Sequence, residues 1–124
     1  MANAVTNSTA SRSIPLNANI TLVEINLTIP GTNPHTVFMM ARFNAFFSGS
    51  SNASIIGNVL VDDIRRDGIQ LPVPDGSSNT QVLLFSTLNV TPGIHKFELS
   101  AYATGLGSTS VRVVIPILTV IDLN

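Results

Sequence analysis

The chain has 124 residues, 10% of them charged, with a formal net charge of -1 and no cysteine. That length builds one domain with its own core, and the balanced charge leaves no footprint for nucleic acid or anionic lipid. The absence of cysteine excludes disulfides and thiolate metal sites, and no apolar run reaches the roughly 18 residues of a membrane-spanning helix.

Ser, Thr and Asn number 13, 12 and 12, so small neutral side chains, not charges, keep the surface wet. This composition suits a dense β-rich surface that packs against its own kind. The chain starts with "MANAVTNSTASRS", polar and almost uncharged. It lacks the basic and apolar regions of a signal peptide. The one break in composition follows it, so the chain divides into an arm over residues 1–13 and a domain over residues 14–124.

The domain reads as strand after strand. In "ITLVEINLTI" Val23, Ile25, Leu27 and Ile29 share a face, and in "TVFMMARFNAFF" Val37, Met39, Ala41, Phe43, Ala45 and Phe47 do the same. "ASIIGNVLVDDIRRDGIQL" predicts a strand and a short return, with the tight turn placed at Asp67-Gly68, a pair that tolerates positive φ. "TQVLLFSTLNV" is a strand, "TPG" a turn, and "IHKFELSAYA" a strand whose apolar face carries His95, Phe97, Leu99, Ala101 and Ala103. Strands at short regular spacing with no helical period predict an all-β fold, an antiparallel sandwich or barrel. At least seven strands are expected, with Val23, Ile25, Leu27, Val37, Phe43, Phe97, Leu99 and Ile115 in the core.

The last strand, "VRVVIPILTVIDL", is apolar on both faces: Val111, Val113, Ile115, Ile117 and Ile121 on one, Val114, Pro116, Leu118 and Val120 on the other. Such a strand is buried on both sides. Either a loop covers its outer face or that face, through Val114, Pro116, Leu118 and Val120, is an interface. Pro116 cannot donate to a ladder and marks an edge or a bulge.

The segment "VTPGIHKFELSAYATGLGSTSVRVVIPILTVIDL" resembles the C-terminal jelly rolls of bacterial and phage surface-fibre proteins, relatives of the tumour necrosis factor and complement-type heads. The matching residues are Thr91, Pro92, Gly93, His95, Phe97 and Leu99, then Leu118 to Leu123, with Val59 to Asp63 similar to an upstream strand of that group. The resemblance implies a jelly-roll β-sandwich, display outside the cell and self-association. Heads of that group usually follow a collagen-like stalk, and this chain has the short arm instead. It is therefore more similar to a subunit of a spore-surface appendage, a kind of protein made in the mother cell that needs no signal peptide; the other outcome is a signal peptide already removed.

The arm then has a role. An edge strand exposes unpaired backbone groups, and an extended segment of a neighbour can add a strand there. Ala4, Val5, Thr6, Asn7, Ser8, Thr9 and Ala10 are β-compatible, and the first proline is Pro15. Donation to the next copy is a heterologous contact and grows a filament unless it closes; folding back onto its own sheet is the other outcome. The expected partner is thus another copy of the chain, with an anchor or tip protein at a fibre end. The alternative is a trimeric receptor- or ligand-binding head on a phage tail fibre or spore fibre. No cofactor or metal is expected and enzymatic activity is not: His35 falls in a turn, His95 on an apolar face, and Asp62 and Asp63 on opposite faces of a strand, which spoils an acid–base pair. Five glycosylation sequons, at Asn7, Asn19, Asn26, Asn52 and Asn89, read as polar ladder residues.

Overall fold

The computed structural model of the chain describes residues 3–49, 53–73, 79–106 and 109–124. Asn52, the loop at 74–78 and residues 107–108 of the Gly/Ser turn lie outside that range. The described residues form nine strands and no helix: β1 (Asn3–Ser8), β2 (Arg12–Ile14), β3 (Ile20–Ile29), β4 (His35–Ser48), β5 (Ala53–Val61), β6 (Ile64–Val73), β7 (Asn79–Val90), β8 (Gly93–Thr104) and β9 (Ser110–Asp122). The first sheet runs β1-β9-β4-β7, with β2 also on β9; the second runs β3-β8-β5-β6. All pairings are antiparallel. Every connection after β2 crosses between the sheets except the β5–β6 hairpin, which is the path of a jelly roll. Thr91-Pro92-Gly93, with Gly93 at φ 119°, therefore turns a corner from sheet to sheet and closes no hairpin.

Alternation puts one face of each strand into the core. Val37, Met39, Ala41, Phe43, Ala45 and Phe47 from β4 meet Val23, Ile25 and Ile29 from β3, Phe97 and Leu99 from β8, and Ile55 and Val59 from β5. Gly57 stands among them because the core leaves no room for more: a Cβ there would lie 2.7 Å from Val82 Cγ1 and 3.4 Å from Phe43 Cε1.

Two expectations about turns and faces are corrected. The tight turn is at Asp62 and Asp63, whose φ angles are 52° and 69°; Asp67 and Gly68 lie inside β6, opposite Val59 and Asn58. Asp and Asn tolerate the left-handed region, so "VDDI" closes the hairpin as well as Asp-Gly would.

In β9 the alternation breaks. Arg42 and Asn44 of β4 are two residues apart, but their partners Ile117 and Val114 are three apart. The extra residue is a β-bulge, with Ile115 at φ 44°, and it reverses which side chains face inward. Val111 and Val113 point into the core before it, Leu118 and Val120 after it, and Ile115 is 59% exposed. Ile115 is therefore not a core residue, and Leu27 is only half-buried. The proposed second interface also dissolves: Leu118 and Val120 are core, Pro116 is buried, and of that set Val114 alone is half-buried. The outer face of β9 is instead carried by Val114, Ile117, Thr119 and Ile121.

Candidate assembly site

The arm is a strand of the sandwich. Asn3–Ser8 pair with Asp122–Ile117, and Arg12–Ile14 with Val113–Val111. The described part of the arm, residues 1–13, lies as the outer strand of the first sheet on the chain's own β9, the fold-back arrangement. Without it β9 would be an open edge of 13 residues. The leader breaks between Ser8 and Arg12, where β9 bulges, and the two irregularities fit together. Ser11 Oγ accepts the Ile115 N–H at 3.0 Å, and the Thr9 N–H donates to the Pro116 carbonyl at 3.3 Å. On the outer side the Thr6 and Thr119 hydroxyls lie 2.9 Å apart.

The inner side faces the other sheet. Val5 stands opposite Val120, Asn7 opposite Leu118 and Arg12 opposite Val113, all on the core side of β9. Val5 packs against the core. Beyond it the leader meets β3, the second sheet's edge, which pairs with β8 on one side. Asn7 Nδ2 donates to the Glu24 carbonyl at 3.0 Å, Thr9 Oγ1 to the Leu22 carbonyl at 2.8 Å, and Arg12 Nη2 to the Thr21 carbonyl at 2.6 Å. A register shift in β3 between Thr21 and Val23 lets the adjacent Thr21 and Leu22 carbonyls both serve the leader. Sequence reasoning found the leader and missed β3, because acceptors on a backbone carry no side-chain signature.

Two histidines hold loops in place elsewhere. His35 Nδ1 lies 2.8 and 2.9 Å from the Asp122 oxygens, at the end of β9. Burial works against ionisation of Asp122, but the hydrogen bonds from His35 and from the Asn124 N–H hold its carboxyl below the ordinary value. At the β5–β6 turn, His95 Nδ1 meets Asp62 and His95 Nε2 meets the Thr91 carbonyl at 2.7 Å. A carbonyl and a carboxylate both only accept, so this pair of contacts favours the protonated ring, which donates from both nitrogens. Asp62 also accepts the Lys96 N–H at 2.9 Å, and Asp63 pairs with Lys96 Nζ at 2.7 Å. Adjacent Asp62 and Asp63 thus work together as a clasp on β8, not on opposite faces of a strand.

The clasp makes a prediction. The Asp62 hydrogen bond raises His95 above its ordinary 6.5, so the stability it lends is full below 6.5 and fades as pH rises through the higher folded value. The His95 hydrogen bond lowers Asp62 below 3.8, so that contribution is present above 3.8 and fades on acidification through the lower folded value. Urea midpoints of the wild type and of His95→Gln should differ most between these limits and converge as the solution becomes alkaline. A gap that widens with rising pH would contradict it.

Comparison with known proteins yields fold alone. No protein-family profile matches the chain, and neither does any curated protein. Among solved structures, dimeric latent PorU from Porphyromonas gingivalis is similar at 6% identity and a TM-score of 0.62, over 98% of this chain and 13% of that one. The Gt strain of infectious bursal disease virus gives 12% identity and a TM-score of 0.61, over 98% and 32%. The sugar-binding EclA C-terminal domain gives 13% and 0.52, over 93% and 78%. The chain spans only about a third or less of the first two, and what they share with it is a β-sandwich.

Proposed function

We propose that the chain is a structural subunit of an extracellular fibre, of the spore-appendage kind its sequence resembles, in which β1 and β2 of each copy are laid on β9 of the next. The observation that carries this reading is the leader's burial. Of its described residues Ile14 alone is buried; Val5 and Ser11 are partly covered and the rest are exposed. Such a segment can leave one copy and enter another with Ile14 as the one buried side chain exchanged among its described residues. Its docking is also finely balanced. Each ladder hydrogen bond contributes about 1 kcal/mol net, while fixing each backbone residue costs about 1–2 kcal/mol. The connection to β3 suits exchange: Pro15 stiffens it and Asn17, at φ 59°, bends it. An exchanged strand makes the same bonds in either copy, so concentration and geometry choose between them.

A chain carrying Thr6→Cys and Thr119→Cys decides the matter, because it has no other thiol. Passed between copies, the strand gives a disulfide ladder of oligomers on non-reducing denaturing gels, and filaments by negative-stain microscopy. A single monomer band with an internal disulfide, at every protein concentration, overturns the proposal.

A closed assembly with exposed receptor-binding surfaces is the second reading. It is favoured by the outer face of the first sheet, where Phe38 stacks on Phe85 with ring centroids 6.0 Å apart and Met40, Leu83 and Phe85 are exposed. Compact particles of fixed mass, without a disulfide ladder, would support it.

A further inference from the structure

Strand donation as proposed requires only the β9 ladder, and a ladder reads no side chains. We infer that the leader's seat is a two-sided cleft between the edges of β9 and β3 that recognises an extended peptide by the pattern Val-x-Asn-x-Thr-x-Ser-Arg, residues 5–12 here. The ligand is the leader of a second copy of this chain, which rests on the reading above.

Each position in the pattern meets a different feature. Val5 fills the apolar end against Val120. Asn7, Thr9 and Arg12 supply donors to the Glu24, Leu22 and Thr21 carbonyls. Ser11 supplies the acceptor for the Ile115 N–H. The peptide runs antiparallel to both edges: its residues ascend as those of β3 and β9 descend. The two bulges, one in each edge strand, set spacings that a uniform ladder lacks.

Register follows from these spacings. A slip of one residue turns every side chain to the wrong face. A slip of two keeps the faces but fails at the ends. In one sense Val5 comes beneath the Glu24 carbonyl, which it cannot satisfy. In the other, Asn7 enters the apolar place of Val5 and Ile14 takes that of Arg12. The polar residues of the arm are thus the means by which one register is selected, and the acceptors on β3 are the reader.

Capture of a peptide by disulfide tests this in the full-length chain. Thr119→Cys protein is refolded with an excess of a synthetic peptide of residues 1–13 carrying Thr6→Cys, so that the peptide competes with the leader. A second peptide adds Asn7→Ala, Thr9→Ala, Ser11→Ala and Arg12→Ala. Capture of the first should exceed that of the second by about tenfold or more, the effect of losing several side-chain hydrogen bonds. A peptide with its cysteine at Ala4 should join Ile121→Cys protein, its opposite residue, and not Thr119→Cys. Equal capture of the patterned and stripped peptides, equal capture in both registers, or no capture at all overturns the inference. The outcomes separate from those of the double-cysteine chain. A monomer band there together with patterned capture here ends donation between copies and leaves the cleft standing. A ladder with unpatterned capture does the reverse.

Discussion

Leu118→Asp is expected to leave no folded protein, whereas Ile117→Asp, one position earlier, is expected to fold. The bulge at Ile115 sends Leu118 into the core at 0% exposure and leaves Ile117 half-buried on the outer face of the first sheet. An aspartate in place of Leu118 would bury a charge with no partner. That costs several kcal/mol, on the scale of a whole domain's stability of about 5–15 kcal/mol. An aspartate in place of Ile117 keeps its carboxylate in water and has Arg42 as its cross-strand neighbour. Soluble yield and the urea midpoint measure both. The same outcome for the two variants would mean that the faces of β9 after the bulge are assigned wrongly.

Phe43→Ala should cost about 3–5 kcal/mol, the range for removing a buried ring that its surroundings cannot replace. Phe43 is 2% exposed in the middle of β4, and it leans on the space over Gly57 in the facing sheet. Gly57→Ala should cost about 1–3 kcal/mol through overpacking, because its methyl would crowd Val82. Combining Gly57→Ala with Val82→Ala should cost less than the two single changes added together, since each leaves what the other needs. Denaturant unfolding of the four proteins closes the cycle. Strict additivity would show that Gly57 is small for some reason other than contact with Val82.

Much of the fold was legible because a period of two is hard to mistake. Val37, Met39, Ala41, Phe43, Ala45 and Phe47 are apolar at every second position of β4, although Phe38, Met40 and Phe46 share the other face with Arg42 and Asn44, and the structure buries each inward residue as expected. Where the pattern was interrupted, reading failed for a physical reason. "VRVVIPILTV" is apolar at nearly every position, so nothing in it marks the step at which inside and outside exchange; Pro116 warned of a bulge without fixing its phase. Asp67-Gly68 is a stronger turn signal than Asp62-Asp63, but the length of β5 and its ladder with β8 place the hairpin earlier. The leader's β character was visible in Val5, Thr6 and Thr9. Its second contact was not, because Asn7 and Arg12 are ordinary polar residues until the Glu24 and Thr21 carbonyls stand beside them.

Asn3 pairs with Asp122, so the sandwich is closed by a contact between residues far apart in the sequence. Joining them means closing a loop of nearly the whole sandwich, the long-range kind of contact that slows folding. The leader's seat on β9 is therefore completed late, after the more local pairing of β5 with β6 has formed. If leaders pass between copies as proposed, refolding from denaturant at high dilution, where neighbours are scarce, should favour closed single chains.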